Sequence, residues 1–122
     1  MKLPDEVLQE LNAICDGWKL TYDSTEYCTQ HSMSNDQIFY VFGNQLSEYY
    51  CIKMDYHPAT NVYHAEHNGV KYDDNRSQYG APGGSAEEAY ENLHKAIVER
   101  ANKILTMANE LDTMRKNNGN SQ

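Results

Sequence analysis

Basic residues are scarce at the start of this 122-residue chain: the first fifty positions hold only Lys2 and Lys19 against eight carboxylates, and the whole chain carries a formal charge of −8. A surface of that sign repels phosphate backbones and anionic lipid, which sets aside direct nucleic-acid binding and membrane adsorption. Its natural complement is a basic protein partner, for example one whose own ligand is a nucleic acid; the alternative is that the acidity serves solubility alone. Long apolar runs are missing too. None approaches the roughly 20 residues that span a bilayer, and no signal peptide opens the chain. Cysteine is limited to Cys15, Cys28 and Cys51, an odd number with no C-x-x-C pair, so neither a disulfide framework nor a zinc ribbon is expected. The three read as small core residues in a reducing cytoplasm. Phenylalanine and tryptophan are rare, two and one, against ten tyrosines. Tyrosine suits half-buried strands and wet interfaces.

What is present fits one domain with a modest core. Pro4, Asp5 and Glu6 form a good helix start, where a missing N–H costs nothing and the dipole favours negative charge. Val7, Leu8, Leu11, Ile14 and Cys15 then make one apolar face, and Gly17 stops the helix. Alternation follows. Trp18, Leu20 and Tyr22 predict one face of a first strand, and Ile38 to Phe42 predict a second that ends at Gly43-Asn44 after the turn Ser34-Asn35-Asp36. Tyr50, Ile52, Met54 and Tyr56 give a third strand, closed by His57-Pro58. Val62–His67 and Val70–Tyr72 flank Asn68-Gly69, a strong hairpin signal.

Ser85, with Glu88 three residues on, is a capping box that opens a long helix. Tyr90, Leu93, Ile97, Ala101, Ile104, Ala108 and Leu111 keep helical spacing, with Glu91–Lys95 and Glu99–Lys103 as favourable pairs, to about Met114. The fold expected is therefore α+β, in the order α-β(4–5)-α: an antiparallel meander sheet with a short N-terminal helix and a long C-terminal one. Residues 1–116 form the domain and 117–122 a flexible tail. About thirty helical residues span roughly 45 Å, more than the roughly 34 Å width of such a domain. The helix should overhang, with Ile97, Ile104, Met107 and Leu111 as its oligomerisation residues; the competing expectation is a break near Asn102 or Asn109.

Gly80-Ala81-Pro82-Gly83-Gly84-Ser85 resembles a phosphate loop at a helix start. It lacks the lysine of a P-loop, Pro82 removes an N–H, and Glu87, Glu88 and Glu91 already occupy the positive helix end. His64-Ala65-Glu66 copies the H-x-E of zinc deaminases, but no cysteine follows Cys51 to complete the ligand set. His64 and His67 fall on opposite faces of a strand. Asp73-Asp74-Asn75 lacks the ligand spacing of a calcium loop and reads as a turn. No metal, cofactor or catalytic residue is assigned, and the chain is read as a non-enzyme.

The order helix, meander, helix resembles the double-stranded RNA-binding domain, and Ala13 to Leu20, "AICDGWKL", is similar to the end of that family's first helix. That family's RNA contacts come from a lysine cluster at the start of its last helix. Glu87 and Glu88 stand there in this chain, so the resemblance implies topology and not RNA binding. "GGSAEEAYENLHKAI", Gly83 to Ile97, following the strands Tyr49–His57 and Val62–His67, resembles the HicB antitoxin family over residues 49–97. This chain adds an N-terminal helix and has no separate DNA-binding module after Ile97. The resemblance implies a non-catalytic acidic protein that covers a toxin's active surface.

The expected function is that of an acidic inhibitor, antitoxin-like or of a phage anti-defence type, which self-associates and occludes a basic surface of a partner protein. Glu87, Glu88, Glu91, Asp73 and Asp74 are its expected partner-binding residues. The alternative is an oligomer that binds a nucleotide or metabolite in a cleft beside the tyrosines.

Overall fold

The computed structural model describes residues 2–68, 70–71 and 83–120. Its elements are helix α1 (Pro4–Ile14), strand β1 (Trp18–Asp23), helix α2 (Thr25–Gln30), strands β2 (Tyr40–Asn44), β3 (Ile52–His57), β4 (Val62–His67) and β5 (Val70–Lys71), and helix α3 (Ala86–Asn120). The strands form one antiparallel meander in sequence order, with a two-residue fifth strand. The fold is α+β as expected.

Alternation decides the sheet's buried face. Tyr40, Phe42, Met54, Tyr56, Tyr63 and Ala65 point to one side and are at most 4% exposed, and α1 and α3 lie against that side. Val7 and Leu11 from α1 meet Ala86, Ala89 and Leu93 from α3 over this face. Three tyrosine rings form the centre: Tyr40 lies 6.2 Å from Tyr56, and Tyr56 lies 4.6 Å from Tyr63. Helix α1 ends because Cys15 is already extended and Gly17 takes φ +100°, where a Cβ would approach Asn44 Oδ1 to 2.7 Å.

Four details depart from expectation. The register of β1 against β2 slips between Leu20 and Tyr22, so Tyr22 pairs with Val41 and is 44% exposed instead of joining Trp18 in the core. A bulge reverses the alternation in this way because one added residue shifts every later side chain by one face. Strand β2 starts two residues later than expected and includes Gly43-Asn44, which pair with Lys19 and Trp18. Glycine is needed inside that strand because the Tyr50 ring would lie 2.9 Å from a Cβ. Tyr50 itself stands outside β3, in a turn where it and Tyr49 both take positive φ. Helix α2 was not expected: Asp23 Oδ1 accepts the Thr25 N–H and hydroxyl at 2.8 and 2.6 Å to start it, and only Cys28 is buried.

Helix α3 is continuous for 35 residues, about 52 Å. It does not break at Asn102 or Asn109, and it runs past the boundary expected at residue 116. Its first turns lie on the sheet, and every residue from Val98 to Asn117 is exposed.

Candidate functional site

Helix α1 packs beside the start of α3, and the seam between them opens as a cleft of about 440 Å³ lined by Glu10, Ala13 and Ile14 from one helix and Ser85, Ala86 and Glu87 from the other. A second hollow of about 540 Å³ continues along α1, lined by Asp5, Leu8, Gln9, Asn12 and Ala13. The two hollows share Ala13, and Asp5, Glu10 and Glu87 are the carboxylates that line this groove. Residues 4–14 and 83–94 supply Asp5, Glu6, Glu10, Glu87, Glu88 and Glu91 and contain no lysine or arginine.

The loop before α3 is tied down by hydrogen bonds. Gly83 exchanges two backbone hydrogen bonds with Tyr63, its N–H to the Tyr63 carbonyl at 3.2 Å and the Tyr63 N–H to its own carbonyl at 3.1 Å. Its N–H is therefore already used. Ser85 Oγ accepts the Glu88 N–H at 3.1 Å as the expected cap. The Gly83 N–H is thus used on β4 and the Glu88 N–H on the cap, and the Glu87 carboxylate stands at the cleft wall where it opposes an anion.

Below the groove, Lys2, Glu10 and Tyr63 form a closed triad. Lys2 Nζ donates to Glu10 Oε1 at 2.6 Å and to the Tyr63 hydroxyl at 3.1 Å, and that hydroxyl donates to Glu10 Oε2. Burial opposes ionisation of Glu10, but the bonds from Lys2 and Tyr63 outweigh it and hold the carboxyl below its usual range. The Glu10 carboxylate, and then the Tyr63 hydroxyl, raise the pKa of Lys2. Burial first, and then the bond to Glu10, push the Tyr63 phenol up to about 12. Lys2 is thus neutralised by Glu10, and the exposed carboxylates Asp5, Glu6, Glu87 and Glu88 stand outside that pair.

Of the expected partner-binding residues, Glu87, Glu88 and Glu91 are exposed at the start of α3, and Glu87 lines the cleft. Asp73 and Asp74 lie outside the described residues. The expected oligomerisation set divides: Ile97 rests partly on its own core, whereas Ile104, Met107 and Leu111 are 60%, 61% and 66% exposed. All three cysteines are free thiols; Cys28 is buried and Cys15 and Cys51 are half-buried. Among the described residues no group of three or more His, Cys, Asp or Glu side chains is placed to hold a metal ion, and no helix is long and apolar enough to cross a membrane.

Two features were not anticipated from the sequence. On the outer sheet face, rings of Tyr22, Phe39, His57 and His64 follow one another at 5.6, 5.8 and 5.2 Å. The bulge in β1 puts Tyr22 into that row, and bulges leave no reliable sequence mark. Burial lowers the pKa of His57 there. Leu46, 77% exposed, sits directly over Gly17 just past the end of α1, and Tyr49, three residues on, is 86% exposed. The adjacent positive φ values of Tyr49 and Tyr50, 58° and 55°, are uncommon for aromatic residues.

The chain matches no protein-family model, and no curated protein and no solved structure matches it significantly.

Proposed function

We propose that the protein acts by binding another protein, laying the carboxylate-lined groove of α1 and α3 over a basic patch of its partner and occluding it. The observation that supports this is that two adjacent helical segments carry five exposed carboxylates, Asp5, Glu6, Glu87, Glu88 and Glu91, while the sixth, Glu10, is paired with Lys2. Such a surface attracts an arginine- or lysine-rich partner and repels nucleic acid and anionic lipid. Leu46 and Tyr49 add the exposed apolar and aromatic contacts that carry much of the energy in protein interfaces. Their strained turn fits a contact element, since uncommon backbone conformations concentrate at such places.

The class proposed, an inhibitor that is antitoxin-like or of a phage anti-defence type, rests on this charge pattern and on the resemblance of residues 49–97 to the HicB family. Its action needs no reaction step: a toxin or defence protein that grips nucleic acid through basic residues loses that surface when the groove covers it.

The triple variant Glu87→Gln, Glu88→Gln, Glu91→Gln tests the reading, because all three side chains are exposed and the Ser85 cap is retained. Affinity capture from the lysate of the native host should return one basic protein in stoichiometric amount with the wild type and lose at least tenfold of it with the variant. Equal capture by both proteins would remove this face from the account. A nucleotide or metabolite that stabilises the wild type thermally in place of any protein would support the ligand-binding alternative.

A further inference from the structure

We infer that the distal halves of α3 from four copies of this chain assemble as an antiparallel four-helix bundle. This rests on a different surface from the acidic groove and stands or falls independently of it. At about 100° per residue, Val98, Ile104, Leu105, Met107, Leu111 and Met114 cover an arc of about 200° on α3, and all are 44–66% exposed. The middle of that arc continues the helix face that carries Leu93 and Ile97 onto the sheet. The sheet ends and the apolar face does not.

The occupant is specified by three observations. The seam residues Ile97, Ala101, Ile104, Ala108 and Leu111 alternate large and small at heptad spacing. Antiparallel pairing centred on Thr106 sets Ala101 opposite Leu111 and Ile104 opposite Ala108, so large side chains fill the space left by small ones, and it sets Arg115 at the seam's end against Ile97 and not against a second arginine. Parallel pairing would put alanine on alanine and stack Arg115 on Arg115 in the same seam. The ends give the same centre. The exposed apolar segment begins at Val98, where the domain stops covering the helix, and finishes at Met114, each eight residues from Thr106.

The width of the face sets the number of copies. One neighbour takes about half of that arc, so a single pair of helices over this segment, about 25 Å long, buries roughly 220 Å² on each if about 100° of a 10 Å cylinder is covered. The total of about 440 Å² falls short of the roughly 1,200 Å² of a stable interface. An arc of about 200° has room for a neighbour on each flank: Leu105 meets Leu105 of one neighbour, and Met107 meets Met107 of the other. Two-fold symmetry at both contacts closes four helices up-down-up-down, with two domains at each end.

Leu105 provides the test. Size-exclusion chromatography with light scattering should give a tetramer for the wild type and smaller species for Leu105→Glu and Leu105→Lys alone, because like charges then face each other across the pair. Mixing the two variants in equal amounts should restore the tetramer through Glu–Lys pairing. Emission from Trp18, which is 5% exposed in the core, reports whether each variant has kept its domain. A monomeric, dimeric or trimeric wild type overturns the bundle. So does a tetramer that survives Leu105→Glu, as parallel packing would allow by facing position 105 with Arg100, or a mixture that fails to reassemble.

Discussion

Gly83→Ala should lower the stability of the domain by about 1–3 kcal/mol, the usual cost of forcing atoms into a packed region, while Gly84→Ala next to it should be neutral or stabilise by up to about 1 kcal/mol. A Cβ on Gly83 would meet the Ala89 backbone N at 2.7 Å and its Cα at 2.9 Å. Neither side can yield easily. Gly83 is held to β4 by its two hydrogen bonds with Tyr63, and Ala89 is fully buried in the first turns of α3. The contact is the point at which the polypeptide passes from the sheet edge into the helix. A Cβ on Gly84, by contrast, would meet only Glu88 Oε2 at 3.7 Å, an ordinary contact in an exposed position. Urea denaturation of the two variants checks the difference. Equal midpoints would mean that the loop gives way more readily than its hydrogen bonds indicate.

Removing the Tyr63 side chain should cost about 3–5 kcal/mol in Tyr63→Ala, as for other large core aromatics, and Tyr63→Phe should cost about 1.5 kcal/mol through the lost bond to a charged group. Tyr63 is fully buried, packs 4.6 Å from Tyr56 and reaches past the core edge to Glu10 and Lys2. The phenylalanine variant isolates the polar part. Glu10 has a lowered pKa in the folded state, so its contribution is complete above the ordinary glutamate value of 4.5 and is lost as pH falls through the lower, folded value. Lys2 and Tyr63 have raised folded values, so theirs is complete below about pH 10 and is lost as pH rises through the folded values, about 12 for the tyrosine. The gap between wild type and Tyr63→Phe should therefore be widest between about pH 5 and pH 10 and narrow on both sides. Glu10 is 37% exposed, and solvent screening keeps the effect modest. A gap independent of pH would assign the loss to packing alone.

The parts of the fold that could be read in advance are those whose signals are local and strong. Pro4-Asp5-Glu6, Gly17, the alternation of Met54 and Tyr56, and the Ser85 cap each express a backbone requirement within a few residues, and each lies where it was expected. Helix α2 was missed because Thr25 to Gln30 buries one residue and so has no apolar period. Strand β2 continues through Gly43-Asn44, a pair with local turn character, because glycine there makes room for the Tyr50 ring from a neighbouring segment. The groove was half legible. The carboxylates at the start of α3 stand out in the sequence, but only folding brings Glu10 from α1 into the same cleft. The Lys2–Glu10–Tyr63 triad joins positions up to 61 residues apart, and no spacing rule reaches that far.

The central claim, that a carboxylate surface on α1 and α3 binds a basic partner, is tested most directly by the salt dependence of the complex. With the captured partner in hand, its affinity for the wild type should be titrated from about 0.1 M to about 1 M salt, over which the screening length falls from about 10 Å to about 3 Å. The account predicts that binding weakens at least tenfold across that range, and that the Glu87, Glu88, Glu91 to Gln variant starts weaker and responds less. An affinity unchanged by salt, and equal in both proteins, would contradict it.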